Sequence, residues 1–193
     1  MKLSLVAPCY NEEGNVRLFC EEAGKILAGY DYEIVFINDG SKDGTLKVLR
    51  ELYAEKKEQM TIINFSRNFG KEAGLYAGLQ HAKGDYIVII DTDLQQPIEV
   101  AKEMMDFLEE HPEYDEVAAY QEERKEGKIM TLFKSAFYSM INKLCDVELY
   151  KNASDFRCMR RCVVDAILQM TEYHRFSKGI FAWIGFETYY RPY

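Results

Sequence analysis

An apolar stretch, Tyr86-Ile87-Val88-Ile89-Ile90, runs without interruption into Asp91-Thr92-Asp93-Leu94-Gln95. A run of that length and β-branched content reads as a strand covered on both faces, the situation inside a parallel sheet. In an extended segment residues i and i+2 point to the same side, roughly 7 Å apart. Asp91 and Asp93 are therefore expected to converge just beyond the carboxyl end of the strand, the edge where open α/β sheets place their ligands. Two neighbouring carboxylates repel unless a cation lies between them, and a hard divalent ion suits their oxygens. A pair of solvated turn aspartates is the alternative reading.

The rest of the chain repeats the same rhythm. Strands are expected at Leu3–Ala7, Tyr32–Ile37, Met60–Phe65, the Asp91 strand and Val117–Tyr120. Between them lie helical patterns at Asn15–Ala28, Asp43 to about Lys57, Lys71–Ala82 and Ile98–Glu110, the last with Pro97 suited to a helix start. Strands alternating with helices of this length predict an α/β fold with a doubly wound, mostly parallel sheet. After Tyr120 the rhythm changes. Glu122–Lys128 is a charge-dense loop, and Met130–Leu144 is a helix whose broad apolar face packs on the sheet or, alternatively, faces a membrane. A short helix follows at Arg161–Met170, and the tail from Phe176 to Tyr193 is aromatic and basic.

At 193 residues the chain suits one domain with a sizeable core. A net charge of −8 argues against a nucleic-acid partner and means that an anionic ligand needs local cations, helix N-termini or a bridging metal. The five cysteines (Cys9, Cys20, Cys145, Cys158 and Cys162) form no C-x-x-C pair, so free thiols are expected. Met1-Lys2 leads straight into a strand without a signal-peptide pattern, and no apolar run reaches the ~20 residues of a bilayer span. The chain as given is expected to be soluble.

Each early strand ends in a polar cluster. These are Pro8-Cys9-Tyr10-Asn11-Glu12-Glu13, Asn38-Asp39-Gly40-Ser41-Lys42-Asp43-Gly44-Thr45, Ser66-Arg67-Asn68-Phe69-Gly70-Lys71, and Asp91-Thr92-Asp93. Taken singly, the second is a turn with a helix cap. Four such clusters on consecutive strands describe a composite site on one sheet edge. A nucleotide fits there: Asp39 can accept from a base N–H, Tyr10 offers an aromatic surface, and Glu12 can take ribose hydroxyl protons. A diphosphate among these acids would reach Asp91 and Asp93 through Mg²⁺ or Mn²⁺.

These four clusters, with Asp155-Phe156-Arg157 and Arg175-x-x-Lys178-Gly179, resemble the family-2 glycosyltransferases. Within them the pattern is similar to the dolichyl-phosphate mannose synthases and bacterial polyprenyl-phosphate sugar transferases, essentially end to end. The resemblance implies a nucleotide-diphospho-sugar transferase (GT-A-like) fold. It also implies inverting transfer of a sugar from a UDP-sugar, or from GDP-mannose, to a polyprenyl phosphate. By resemblance, residues 1–120 form the nucleotide-sugar-binding half and 121–193 the acceptor-side half of one catalytic domain. Asp91, Asp93 and Gln95 would hold the metal, and Pro8, Tyr10, Glu12 and Asp39 the nucleoside. Asp155 matches the catalytic aspartate, with a capping or turn aspartate as its alternative. Arg124, Lys134, Ser135 and Arg157 would serve the acceptor phosphate, with Asp155 orienting Arg157 or the acceptor, although Gln121 stands where a basic residue is expected. Arg175 and Lys178 would sit on a mobile loop closing over the diphosphate.

Such relatives continue past the aromatic tail into membrane helices. The parent protein is thus expected to be longer, anchored on the cytoplasmic side of a membrane, with Phe181, Trp183, Ile184, Phe186, Tyr189 and Tyr190 as half of an interface; a soluble relative is the alternative. Homo-oligomerisation stays open. A haloacid-dehalogenase phosphatase would want its D-x-D on the first strand with a threonine where Gln95 stands. A sugar nucleotidyltransferase would want a glycine-rich, arginine-containing loop after strand one. A non-catalytic scaffold is the remaining alternative.

Overall fold

The computed structural model describes residues 1–120, 153–172 and 175–193. Seven strands form one sheet: β1 (Lys2–Cys9), β2 (Asp31–Asn38), β3 (Met60–Asn64), β4 (Tyr86–Ile89), β5 (Glu116–Tyr120), β6 (Ala153–Arg160) and β7 (Thr188–Pro192). The helices are α1 (Val16–Ile26), α2 (Thr45–Lys56), α3 (Lys71–His81), α4 (Ile98–Glu110), α5 (Arg161–Gln169) and α6 (Ser177–Trp183). The strand order is β3-β2-β1-β4-β6-β5-β7. β3, β2, β1 and β4 pair in parallel, β6 is antiparallel to both β4 and β5, and β7 runs parallel to β5. The mostly parallel α/β sheet expected from the alternation is present.

The period of two along the strands sorts side chains into two cores. Leu3, Leu5, Ala7, Ile34, Phe36, Val88 and Ile90 face α1, α2 and α4, packing with Phe19, Leu49 and Met104. Val6, Val35, Ile37, Ile87 and Ile89 face the other way, toward Leu75, Leu79, Val163, Ile167 and Phe181 on α3, α5 and α6. Burying each such side chain is worth roughly 1.5–3 kcal/mol before chain entropy is set against it. In α1 the buried residues Val16, Phe19, Cys20 and Ala23 recur at helical spacing, which is why this segment folds as an amphipathic helix. α3 lies unusually close to the sheet, because a Cβ on Gly78 would stand 2.4 Å from Val6 Cγ1. That approach sets the first residue of α3, Lys71, over the strand ends.

Two strands escaped the sequence reading. β6 inserts between β4 and β5, so Asp155 belongs to a sheet strand and not to a turn before α5. Its scattered polar residues (Ser154, Asp155, Arg157, Arg160) hide it from a search for apolar runs. β7 pairs with β5 at the sheet edge, and Tyr189 stacks on Phe107 of α4 with ring centroids 4.3 Å apart. The aromatic tail is thus largely folded onto the domain, although Phe176 and Trp183 remain 51% and 65% exposed. Among the described residues no helix is long and apolar enough to cross a membrane. The expected loop at Glu122–Lys128 and helix at Met130–Leu144 lie outside the described residues.

At the amino ends of the strands a buried carboxylate ties three segments together. Glu33 Oε1 accepts from Ser4 Oγ at 2.7 Å and from the Lys83 N–H at 2.6 Å, while Oε2 takes Lys2 Nζ at 3.1 Å. Burial pushes the Glu33 carboxyl up, but the bonds from Ser4, Lys83 and Lys2 outweigh it and hold the group below its ordinary range. A carboxylate depressed in the folded state contributes stability above its unfolded value and loses it as acid titrates through the folded one. Glu33→Gln is expected to cost about 1–3 kcal/mol at pH 7. In urea melts that deficit should shrink toward zero well below pH 4.5, the ordinary value. A pH-independent deficit would disprove the assignment.

Candidate active site

Because β1 to β4 run in parallel, the loops after them meet on one edge. The first two loops are stitched together through side chain to backbone bonds. The Asn11 N–H donates to Ser41 Oγ (3.0 Å), the Lys42 N–H to Asn11 Oδ1 (2.9 Å), the Glu12 N–H to Thr45 Oγ1 (2.8 Å) and the Gly44 N–H to Glu13 Oε2 (2.9 Å). Asn11 itself adopts φ +58°, a left-handed conformation that asparagine tolerates. Glu12 is fixed by Asn15 Nδ2 at 2.6 Å. Gly40, at φ +66°, lets the second loop touch the third: a Cβ there would stand 2.3 Å from the Arg67 carbonyl carbon. Only glycine fits both conditions.

Asp39 is 6% exposed and holds the third loop, with Oδ1 accepting the Phe69 N–H at 2.7 Å and Oδ2 the Gly70 N–H at 2.9 Å. A carboxylate has about four acceptor positions, so capacity for a base N–H remains. A cleft of about 220 Å³ opens beside it, lined by Pro8, Cys9, Tyr10, Asp39, Asn68, Gly70, Lys71, Gly74 and Asp91. Four residues singled out for the nucleotide, Pro8, Tyr10, Asp39 and Asp91, thus line one cleft. Tyr10 is 42% exposed. Cys9 is no nucleophile: burial, then the charges of Glu12, Asp43 and Asp39, push its thiol up to about 12.

The acidic end of the cleft differs from the expectation in its local geometry. β4 ends at Ile89, the chain turns at Thr92 and Asp93, and Leu94 adopts φ +61°. The spacing rule for an extended segment therefore does not apply to Asp91 and Asp93. Asp93 Oδ1 accepts the Gln95 N–H at 3.0 Å within the turn, and both residues are exposed. Gln96, which the sequence reading passed over, braces Asp91 instead: its Oε1 accepts the Asp91 N–H at 2.8 Å and its Nε2 donates to Asp91 Oδ2 at 3.2 Å.

Lys71 supplies the link that the sequence concealed. Its ammonium lies 2.9 Å from Asp91 Oδ1, 3.0 Å from Oδ2 and 3.4 Å from Asp155 Oδ2. Burial opposes the charge on Lys71, but Asp91 and then Asp155 outweigh it and hold the ammonium above its ordinary pKa. Asp155 on β6 and Asp91 after β4 are thereby joined at one point. An ammonium held between two carboxylates marks a position suited to a cation. The hard oxygens of Asp91, with Asp93 nearby in sequence, fit Mg²⁺ or Mn²⁺. Among the described residues no three His, Cys, Asp or Glu side chains form a complete metal cage. Mg²⁺ needs none, since it is commonly bound by one or two carboxylates together with substrate phosphates.

The cationic residues expected on the acceptor side are placed otherwise. Arg157 is 3% exposed and points its guanidinium at Glu116, with Nη1 at 3.1 and 3.0 Å from the two carboxylate oxygens. The Phe181 ring covers it at 3.6 Å. This corrects both the acceptor role given to Arg157 and the idea that Asp155 orients it; Asp155 pairs with Lys71. Arg175 donates to the Met170 and Ile167 carbonyls and lies over the Tyr76 ring at 4.4 Å, closing the end of α5 rather than the cleft. Lys178 stands in the first turn of α6, partly exposed. Gln121, Arg124, Lys134 and Ser135 lie outside the described residues.

Residues 4–168 match the family model described as glycosyl transferase family 2. The chain is 42% identical over 187 residues to the putative glycosyltransferase CsbB of Bacillus subtilis, covering 96% of this chain and 56% of that protein. It is 41% identical over 191 residues to the prophage bactoprenol glucosyl transferase homolog of Escherichia coli, covering 97% and 61%. It therefore spans less than two thirds of the length of these relatives. Among solved structures it resembles the mannosyltransferase PcManGT from Pyrobaculum calidifontis in complex with GDP-Man and Mn²⁺. The TM-score is 0.68 at 17% identity, over 98% of this chain and 54% of that one.

Proposed function

The chain belongs to glycosyltransferase family 2, an enzyme family with a GT-A fold, and from that premise we propose that it moves glucose from UDP-glucose to a polyprenyl phosphate with inversion. The observation that carries this reading is the cleft itself. Tyr10 and Asp39, suited to a nucleoside, line it together with Lys71 and Asp91, suited to a diphosphate and its cation, and Lys71 also reaches Asp155. The glucosyl group and the polyprenyl acceptor are drawn from the name of the Escherichia coli relative. An oxygen of the acceptor phosphate attacks the anomeric carbon, the bond from that carbon to the β-phosphate oxygen breaks, and UDP departs with the electron pair. Asp91, helped by Asp93, would hold a divalent ion that neutralises charge on the departing diphosphate. Asp39 and Tyr10 would orient the base, and Glu12 the ribose. The acceptor's lipid tail places the reaction at a membrane surface.

Calorimetry with UDP and with GDP, each with Mn²⁺ and with chelator, tests the donor half. UDP is expected to bind at least tenfold more tightly than GDP, and chelation or Asp91→Ala to weaken binding by tenfold or more, the loss of about one good charged contact. Equal binding after chelation would remove the metal from the reading. The acceptor half is tested by transfer of labelled glucose to a short-chain polyprenyl phosphate in detergent. Turnover with GDP-mannose and none with UDP-glucose would overturn the donor assignment.

A further inference from the structure

We propose that Lys71 is the resident counter-cation of this acidic cluster, and that it yields Asp91 to a divalent ion when the donor binds. The inference rests on the proposed function and adds to it a competition between a side chain and a metal for one carboxylate. Both oxygens of Asp91 lie within 3.0 Å of the Lys71 ammonium, and the same ammonium reaches Asp155 at 3.4 Å. Gln96 bonds the Asp91 N–H and shares its Oδ2 with the ammonium, which holds the carboxylate in place and leaves the long lysine stem as the movable partner. The lysine side chain is 42% exposed and the Asp91 side chain 32%, so the ammonium has open space into which to withdraw.

The location argues for the same purpose. Lys71 is the first residue of α3, where the helix dipole favours anions and disfavours a cation. The ion pairs with Asp91 and Asp155 offset that cost, at a point where a carboxylate following β4 and one on the neighbouring β6 share the ammonium. Without a cation there, Asp91 and Asp155 would repel and loosen the end of β6 against β4. A single positive charge satisfies the cluster before the donor arrives. Once displaced from Asp91, the ammonium keeps Asp155 and remains at the mouth of the cleft beside Gly70 and Asn68.

Two measurements decide the matter. The first is the affinity for Mn²⁺ at saturating UDP, by calorimetry, for wild type, Lys71→Met and Lys71→Arg. Removing a competing unit charge at contact distance is expected to tighten Mn²⁺ binding on the order of tenfold in Lys71→Met, while Lys71→Arg stays within about threefold of wild type. The second uses the unaltered chain, so that misfolding of a variant cannot blur it. The side-chain ammonium resonance of Lys71, sharpened by its ion pairs, is expected to shift and exchange faster when Mg²⁺ and UDP are added, and not when UDP is added with chelator. Unchanged or weakened Mn²⁺ binding in Lys71→Met, or an ammonium signal indifferent to Mg²⁺, would overturn the proposal while metal-dependent UDP binding by wild type stood. Failure of the underlying reading looks different: neither UDP nor GDP would bind to any variant, with or without metal.

Discussion

Asp155→Asn is expected to lower sugar transfer about 10²–10³-fold, the usual cost of removing one preorganised electrostatic group from a reaction centre. The carboxylate stands 3.4 Å from the Lys71 ammonium, on a strand paired to β4. Its removal leaves Lys71 with Asp91 alone and, on the proposed reaction, would change the field at the point of attack. A phosphate acceptor needs no strong base, because its second ionisation falls near pH 6 and it is mostly dianionic at neutral pH. The pH profiles of wild type and variant should therefore run parallel, each following the acceptor's own ionisation. Rates measured from pH 5 to 8 with a short-chain polyprenyl phosphate check this. A wild-type ionisation that the Asn variant lacks, together with near-total loss of activity, would make Asp155 the general base.

Glu116→Ala is expected to cost about 3–5 kcal/mol, because it strands a buried guanidinium. That is a large share of the ~5–15 kcal/mol that holds a typical domain together. Arg157 and Glu116 have side-chain exposures of 4% and 2%, and Thr188 Oγ1 also donates to Glu116 at 2.7 Å, tying β7 to the pair. Arg157 Nε already lacks a partner, so no spare bond is at hand to compensate. Urea denaturation followed by circular dichroism measures the loss. Replacing both partners, as Glu116→Leu with Arg157→Met, should recover most of it, since apolar groups of similar volume leave no charge uncompensated. A single variant losing less than about 1 kcal/mol would mean that water reaches Arg157.

The error over Arg157 shows where reading a chain stops. An arginine two residues after an aspartate in a functional motif looks like a phosphate ligand, and nothing local marks it as buried. Its partner Glu116 is 41 residues away, on a strand that reaches it only because β6 runs antiparallel beside β5. Lys71 is the converse case. It stood inside a recognised motif without a role, because its partners Asp91 and Asp155 are 20 and 84 positions further along. Gln95 and Gln96 differ by one step around a turn. Only the left-handed Leu94 decides which of them reaches Asp91.

Strand and helix alternation, the covering of β4 on both faces, and the gathering of four polar loops on one edge all follow from local pattern. Period-two and period-3.6 burial, and the geometry of parallel crossovers, leave the chain few other arrangements. The family was legible for the same reason, since its motifs are the loop residues at those strand ends. Tertiary structure decided what long-range pairing alone can set: the antiparallel entry of β6, the return of the aromatic tail as β7, and the partner of each charge. A side chain's burial and its counter-ion depend on which distant strand becomes its neighbour, and that information is absent from any window of sequence.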